Sequence, residues 1–274
     1  MSIARDALGL GLRVAHYPHL FEHWPAVDYF EIISENFMGD SLVSSHRLDR
    51  VRARYPIVLH GVGLNLLGHA PLDETYLDAL ARLADRADAP FVTDHLCWSG
   101  AHGMHHHDLL PAPYTRDLVD FAASRAHRVQ KRIGRPFGLE NLSSYVAFES
   151  STMTEWEFYT RVIRDAGCWA MLDVNNVYVS SQNHGFDPDA YLAAIDFSRV
   201  LQVHVAGHVR EASGTIVDTH DHPVASAVWA LYARAWKIGG PFPTLLEWDA
   251  HIPPMPEVLA ELAKAALVRG EART

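Results

Sequence analysis

Cysteine is scarce, with Cys97 and Cys168 the whole complement and no CxxC pair between them. That excludes a disulfide framework and a cysteine-ligated zinc module. Basic charge is also short: 23 Lys+Arg face 33 Asp+Glu, a net charge of −10 with histidine neutral. Such a chain lacks the positive surface that phosphate backbones recruit, so nucleic acid is not an expected partner. Long apolar runs are missing as well. The longest uncharged stretch, residues 55–72, is broken by His60, Asn65, His69, two prolines and three glycines, and no membrane span is expected. The apolar run 7–12 is too short for a secretory signal and lies between Asp6 and Arg13, which points to the cytoplasm. A glycine-rich phosphate loop is absent too: "GLGLRV" has glycines only at 9 and 11 and continues as strand, against a doubly wound nucleotide-binding sheet.

What is abundant is histidine: 18 residues, more than the 17 glycines or the 15 prolines. Neutral imidazole is the commonest protein metal ligand, so the position of those rings matters. Short apolar runs read as strands at 9–14, 29–33, 56–60, 90–95, 137–141, 169–174, 200–205 and 242–248. Helical patterns separate them. Leu77, Leu80, Ala81 and Ala84 form one apolar stripe; Leu118, Phe121, Ala122, Ala126 and Val129 form another. Thr154 and Glu157 make a capping box that opens the helix carrying Phe158 and Val162. A closing helix is expected from about 256 to just before Gly270. Eight alternating units in 274 residues predict a single α/β domain over 1–274, a (β/α)8 TIM barrel. The segment 99–113 reads as irregular.

Chemistry-bearing residues gather at the predicted strand ends. The third strand ends in His60, the fourth in His95, the fifth in Glu140 and the sixth in Asp173, followed by Asn176; the seventh carries His204 and the eighth Glu247. In a barrel these ends converge on one mouth. Several uncompensated carboxylates in one partly dry cavity repel each other and are poorly solvated, a penalty that a cation removes. Mixed imidazole and carboxylate donors suit iron, manganese or zinc better than magnesium or calcium. Asp218 and His220, two residues apart, share a face of an extended segment and can chelate together. This donor count exceeds one ion and suits two or three. Asp249, His208 and His184 are candidates for acid–base, orienting or substrate contacts. His102, His105, His106 and His107 are expected on a solvated or substrate-facing loop rather than in a chelate. Cys97 is expected to be a buried, inert thiol and Cys168 a core residue.

Eight ordered motifs, "VLHGVGLNLLG", "TDHLCWSG", "HDLLPAPYT", "GLENLSSY", "LDVNNVYVSSQNHGF", "HVAGH", "DTHDHPV" and "LLEWDAHIP", span nearly the whole chain. They resemble the multinuclear non-haem iron-dependent oxidase family, the methanobactin biosynthesis protein B-like proteins. The resemblance implies a barrel with the xylose-isomerase-like, endonuclease-IV-like metal layout. It implies two or three irons, Fe(II) and Fe(III), and dioxygen as co-substrate. Cysteine residues of a ribosomally made precursor peptide would be oxidised, with help from a peptide-recruiting partner subunit. It also implies a ligand partition. His60, His95 and Glu140 would hold one iron. Glu140 would bridge to a second, held by Asp173, His204 and Glu247. Asn176, Asp218 and His220 would hold the third. Endonuclease-IV-like zinc enzymes have histidine where Asn176 stands, so this difference and the acidic charge disfavour a phosphodiesterase. A sugar isomerase on the same barrel and a non-catalytic metal-storage or metal-delivery protein are the competing classes.

Overall fold

The computed structural model describes residues 2–39, 41–101 and 104–272. Strand β1 (Leu8–Gly11) leads to α1 (Tyr17–His23), β2 (Tyr29–Ile33) to α2 (Leu42–Arg52), and β3 (Ile57–Gly61) to α3 (Glu74–Ala87). After β4 (Val92–His95) comes a hairpin, β5 (Trp98–Ala101) with β6 (Met104–Leu110), and then α4 (Arg116–Ile133). Next are β7 (Phe137–Glu140), α5 (Glu155–Ala166), β8 (Trp169–Asp173), α6 (Val174–His184) and α7 (Pro188–Ala194). The chain continues through β9 (Val200–Val205), the short pair β10 (Val209–Arg210) and β11 (Ile216–Val217), and α8 (Ser226–Gly239). It ends with β12 (Thr244–Leu246) and α9 (Met255–Ala272). The parallel strands close in the order β1-β12-β9-β8-β7-β4-β3-β2, with β1 paired to both β12 and β2, which is a TIM barrel.

The helices start and stop where side-chain chemistry directs. Asp73 accepts from the amides of Thr75 and Tyr76 at the head of α3. Thr154 and Glu157 close a reciprocal capping box on α5, which ends at Gly167 with φ 66°. Leu77, Leu80, Leu83, Ala84 and Ala87 of α3 pack on the barrel, as do Val119, Ala122, Ala123, Ala126, Val129 and Ile133 of α4.

Inside the barrel, alternation builds two layers. Tyr29, Val58, Phe91 and Leu245 form an apolar plug with Ala7. Two residues further along three of those strands stand Glu31, His60 and Glu247, because i and i+2 share a face of a strand. Gly9 makes room for the plug, since a Cβ there would sit 2.3 Å from the Tyr29 ring. The polar layer therefore rests on a packed apolar floor at the C-terminal mouth of the barrel.

Some local expectations differ from the structure. The irregular segment 99–113 contains the β5–β6 hairpin, whose polar, histidine-rich strand lacks the apolar alternation that announces one. His102 lies outside the described residues, and so do the side chains of His105, His106 and His107. The first strand ends at Gly11, so Arg13 sits in a loop rather than in the sheet. Phe121 is exposed on α4 with the Arg125 guanidinium 5.0 Å from its ring centroid. The stripe facing the barrel runs through Val119 and Ala123 instead. Helix α9 continues past Gly270, which adopts no left-handed cap. Cys97 and Cys168 are both buried free thiols.

Candidate metal centre

Three strands adjacent in the barrel bring His60, His95 and Glu140 together. The Nε2 atoms of the two imidazoles lie 3.2 and 3.0 Å from the same Glu140 oxygen, Oε2. That oxygen is buried and has no hydrogen-bond partner, so neither approach has hydrogen-bond geometry. The far side of each ring explains why. His95 Nδ1 lies 3.1 Å from the Gly61 carbonyl, which only accepts, so Nδ1 carries a proton. His60 Nδ1 lies 2.9 Å from Thr93 Oγ1, whose own hydroxyl bonds the Leu59 carbonyl, so this Nδ1 also donates. With Nδ1 donating on the far side, Nε2 of each ring is the nitrogen aimed at the carboxylate oxygen, and a cation at their convergence would replace any proton there and be coordinated by both rings.

Ionisation follows the same geometry. Burial lowers His60 to about 3, despite the neighbouring Glu140 charge. Burial also opposes the charged form of His95, but Glu140 outweighs it and raises the ring to about 9. Burial and the Glu140 charge push Asp173 well above the usual carboxylate range. Burial resists ionisation of Glu247, yet His220 and His204 hold it well below that range.

The remaining donors extend the cluster. Asp173 caps α6, its Oδ1 accepting from the Asn176 amide at 2.6 Å while Oδ2 is buried and unpartnered. Asn176 Nδ2 donates to Glu140 Oε1 at 3.1 Å and to the Asn141 carbonyl, leaving its buried Oδ1 without a partner. His204 lies between two carboxylates, Nδ1 3.1 Å from Glu247 Oε2 and Nε2 3.2 Å from Glu31 Oε2. His220 Nε2 is 2.7 Å from Asp218 Oδ1, again without hydrogen-bond geometry, and its Nδ1 is 3.3 Å from Glu247 Oε2. The pair meets through a left-handed kink, φ 47° at His220, not through the extended run expected from the sequence.

The donor atoms form overlapping groups: His60, His95 and Glu140; Glu140, Asp173 and His204; Asp173, His220 and Glu247; Glu31, His204 and Glu247. Glu140, Asp173, His204 and Glu247 are each shared between two groups. Asp218 joins through His220, and Asn176 through Glu140. The residues fit more than one cation: four buried oxygen or nitrogen atoms, Glu140 Oε2, Asp173 Oδ2, Asn176 Oδ1 and His220 Nε2, stand without hydrogen-bond partners. Among the described residues, no Lys or Arg ion pair reaches Glu140 or Asp173. The cavity above them measures about 540 Å³ and is lined by His60, His95, Glu140, Asn176, Asp218, His220, Glu247 and Asp249 among others.

Asp249 sits at the cavity rim. Arg13 Nε donates to its Oδ1 at 2.9 Å, and its Oδ2 is 3.3 Å from His220 Nδ1. His208 stands behind the site: its Nδ1 lies 2.7 Å from Asn175 Oδ1, and Asn175 Nδ2 donates to Asp218 at 2.6 Å. His184 faces Ser144, with Nε2 2.8 Å from Oγ, and lines a separate cavity of about 250 Å³.

Sequence reasoning missed Glu31, Arg13 and Tyr145. Glu31 stands inside "YFEII" rather than at its end, and a carboxylate in an apolar strand was the available signal. Arg13 bonds both Glu247 and Asp249. The Tyr145 hydroxyl accepts from the Asp218 amide at 3.0 Å and ties two mouth loops together. Nothing local in the sequence announces that bond.

A parallel barrel with overlapping histidine–carboxylate groups at its C-terminal mouth defines a TIM barrel with a candidate metal site. Among solved structures, D-psicose 3-epimerase from Clostridium cellulolyticum H10 has a TM-score of 0.64 at 10% identity, covering 96% of this chain and 99% of that one. A xylose isomerase-like TIM barrel protein from Mycobacterium smegmatis, solved in complex with magnesium, has a TM-score of 0.61 at 12% identity over the full length of both. At such identities the likeness is one of fold. The sequence family is closer: the profile of the RiPP precursor modification enzymes MbnB/TglH/ChrH matches residues 7–269, and the chain belongs to that family. It is 46% identical over 274 residues to a UPF0276 protein of Anaeromyxobacter sp., covering 99% of this chain and 96% of the relative. It is 43% identical over 262 residues to a UPF0276 protein of Acaryochloris marina, covering 96% and 94%.

Proposed function

We propose that this chain is an iron- and dioxygen-dependent oxidase that modifies cysteine residues of a ribosomally synthesised precursor peptide, presented by a partner subunit. The observation that carries the reading is the set of shared carboxylates, Glu140, Asp173 and Glu247, each belonging to two donor groups beneath one cavity that Glu140 and Glu247 line. Shared carboxylates suit adjacent ions, and mixed imidazole and carboxylate donors suit iron.

On this reading His60, His95 and Glu140 hold one ion. Glu140, Asp173, His204 and Glu247 hold a second. Asn176, Asp218 and His220 surround a third, the most labile because an amide oxygen is a weaker ligand than imidazole. Bound iron would supply open coordination positions at which a cysteine thiolate and dioxygen meet and exchange electrons. The chain's own residues do the rest. Thr93 and the Gly61 carbonyl fix the orientation of His60 and His95. Asn175 holds Asp218, and the Tyr145 hydroxyl holds its backbone. Asp249 has one oxygen on Arg13 and the other near His220, which places a proton acceptor at the rim where a substrate enters.

The rim supports a peptide more than a small sugar. Of the exposed large apolar residues, Val14, Leu42, Val43, Val62, Tyr145, Val146 and Phe148 all follow barrel strands β1, β2, β3 or β7 at the mouth. Only Val62 and Tyr145 of these line the mouth cavity, so a monosaccharide seated there would leave the others uncovered, whereas a peptide with its carrier would reach beyond the cavity.

The test is anaerobic co-expression with a Cys-containing precursor peptide and any partner subunit encoded beside this reading frame. Iron is then quantified and the peptide mass measured after oxygen is admitted. A mass change that requires iron and oxygen, repeated many times per protein, supports the oxidase. An unchanged mass with fully iron-loaded protein and partner overturns it; epimerisation of a ketose under those conditions would favour the isomerase class.

A further inference from the structure

We propose that Glu31 is a positioning residue for the metal centre: it accepts the Nε2 proton of His204, leaving Nδ1, on the Glu247 side, as the nitrogen that binds a cation. This rests on His204 being a metal ligand and on no part of the proposed peptide chemistry. An imidazole binds an ion through one nitrogen while the other is held by an acceptor that fixes the ring. Here both nitrogens face carboxylates, Nε2 at 3.2 Å from Glu31 and Nδ1 at 3.1 Å from Glu247, so the surroundings of each side decide.

On the Nε2 side stands Gln202. Its Nε2 donates to Glu31 Oε2 and lies 3.0 Å from His204 Nε2, while its Oε1 accepts from the Tyr29 hydroxyl at 3.1 Å. A carboxylate can only accept, so the amide must turn its NH2 to Glu31 and its carbonyl to Tyr29. The reverse orientation would set two oxygens against each other. Gln202 Nε2 and His204 Nε2 then both direct an N–H at Glu31 Oε2, and a cation beside Nε2 would meet the positive end of the amide dipole. Although Glu31 groups with His204 and Glu247 by distance, Gln202 makes it an acceptor for the ring rather than a ligand. On the Nδ1 side, Glu247 lines the open cavity and groups with Asp173 and His220. Glu31 is fully buried on β2, beneath the mouth. The chain Tyr29–Gln202–Glu31–His204 thus runs from the apolar plug up to the metal layer and sets which face of the ring is presented.

The experiment uses metal-free full-length protein titrated with zinc(II) and, separately, with cobalt(II), comparing the wild type with Glu31→Gln. The expected result is ~10–100-fold weaker binding of one equivalent, with the number of ions at saturation unchanged, as for other losses of a partner behind a metal-bound histidine. Unchanged affinity overturns the proposal. Loss of one whole ion at saturation also overturns it, because Glu31 would then be a ligand. A measurement that needs no variant is long-range ¹H–¹⁵N NMR of the zinc-loaded wild type, with His204 assigned through its own carbons. A proton on Nε2 is expected, and a proton on Nδ1 overturns the assignment. Neither measurement involves peptide, iron or oxygen, so failure of the oxidase reading leaves this result unaffected, and the converse also holds.

Discussion

His60 and His95 meet at one oxygen of Glu140, 3.2 and 3.0 Å away, with their opposite nitrogens tied to Thr93 and the Gly61 carbonyl. Both rings are aimed by groups outside the cavity, so the convergence is a property of the barrel and persists without substrate. Glu140 is also a carboxylate that two donor groups share. Replacing it should therefore disturb more than one ion. Glu140→Gln is expected to lower bound iron by at least one ion per chain and to reduce affinity more than the ~10–100-fold typical of losing an outer partner. Metal analysis of protein purified without oxygen checks this. Full iron content in the variant would show that Glu140 is not a ligand.

The pH dependence of stability is expected to reverse on metal loading. In metal-free protein His95 stands at about 9, above its ordinary 6.5, because Glu140 outweighs burial. Its contribution, on the order of 3 kcal/mol, is complete below the unfolded value and is lost as pH rises through about 9. Asp94, held neutral up to about 8 by burial and then by Glu35, loses stability in the same direction. Metal-free protein should melt at lower temperature as pH rises from about 6.5 to 9. A bound ion needs its imidazoles unprotonated, so loaded protein should melt higher as pH rises from about 6 to 8. Calorimetry of chelator-treated and reloaded samples across that range measures both slopes. Parallel slopes would mean that the ions do not bind these histidines.

Much of the barrel was legible because its strands are buried on both faces and read as apolar runs closed by a polar residue. The runs ending at His60, Glu140 and Asp173 show it directly. Glu31 escaped that reading because its strand continues for two residues past the polar layer, to Ile33. The β5–β6 hairpin escaped because main-chain pairing at the mouth needs no apolar alternation. Arg13 acts across 234 residues of sequence on Glu247, and such a contact has no local signature.

Asp249 and His208 should separate in function. Asp249→Asn keeps the shape and is expected to retain iron while lowering turnover by ~10²–10⁴-fold, the range for loss of a positioned acid–base group. His208 reaches the site only through Asn175 and Asp218. His208→Ala should therefore weaken the most labile ion and lower the rate about tenfold, an effect that added iron recovers. Turnover measured against iron concentration distinguishes the two. Rescue of Asp249→Asn by iron would assign it to metal retention instead.

Gly9 tests the floor under the metal layer. A Cβ at this position would lie 2.3 Å from the Tyr29 ring, and the ring is fully buried among Ala7, Val58, Phe91 and Leu245. It has no room to retreat, so Gly9→Ala forces either a backbone shift in β1 or a tilt of the ring. Overpacking of this kind costs about 1–3 kcal/mol, and a contact this close belongs at the upper end. A tilt would also break the Tyr29–Gln202 hydrogen bond and loosen the support beneath Glu31 and His204. Gly9→Ala should thus lower the urea midpoint and weaken zinc binding together. The double variant Gly9→Ala with Tyr29→Phe should not recover the zinc affinity, since phenylalanine lacks the hydroxyl that orients Gln202. A lowered urea midpoint with unchanged zinc affinity would uncouple the floor from the site and refute this link.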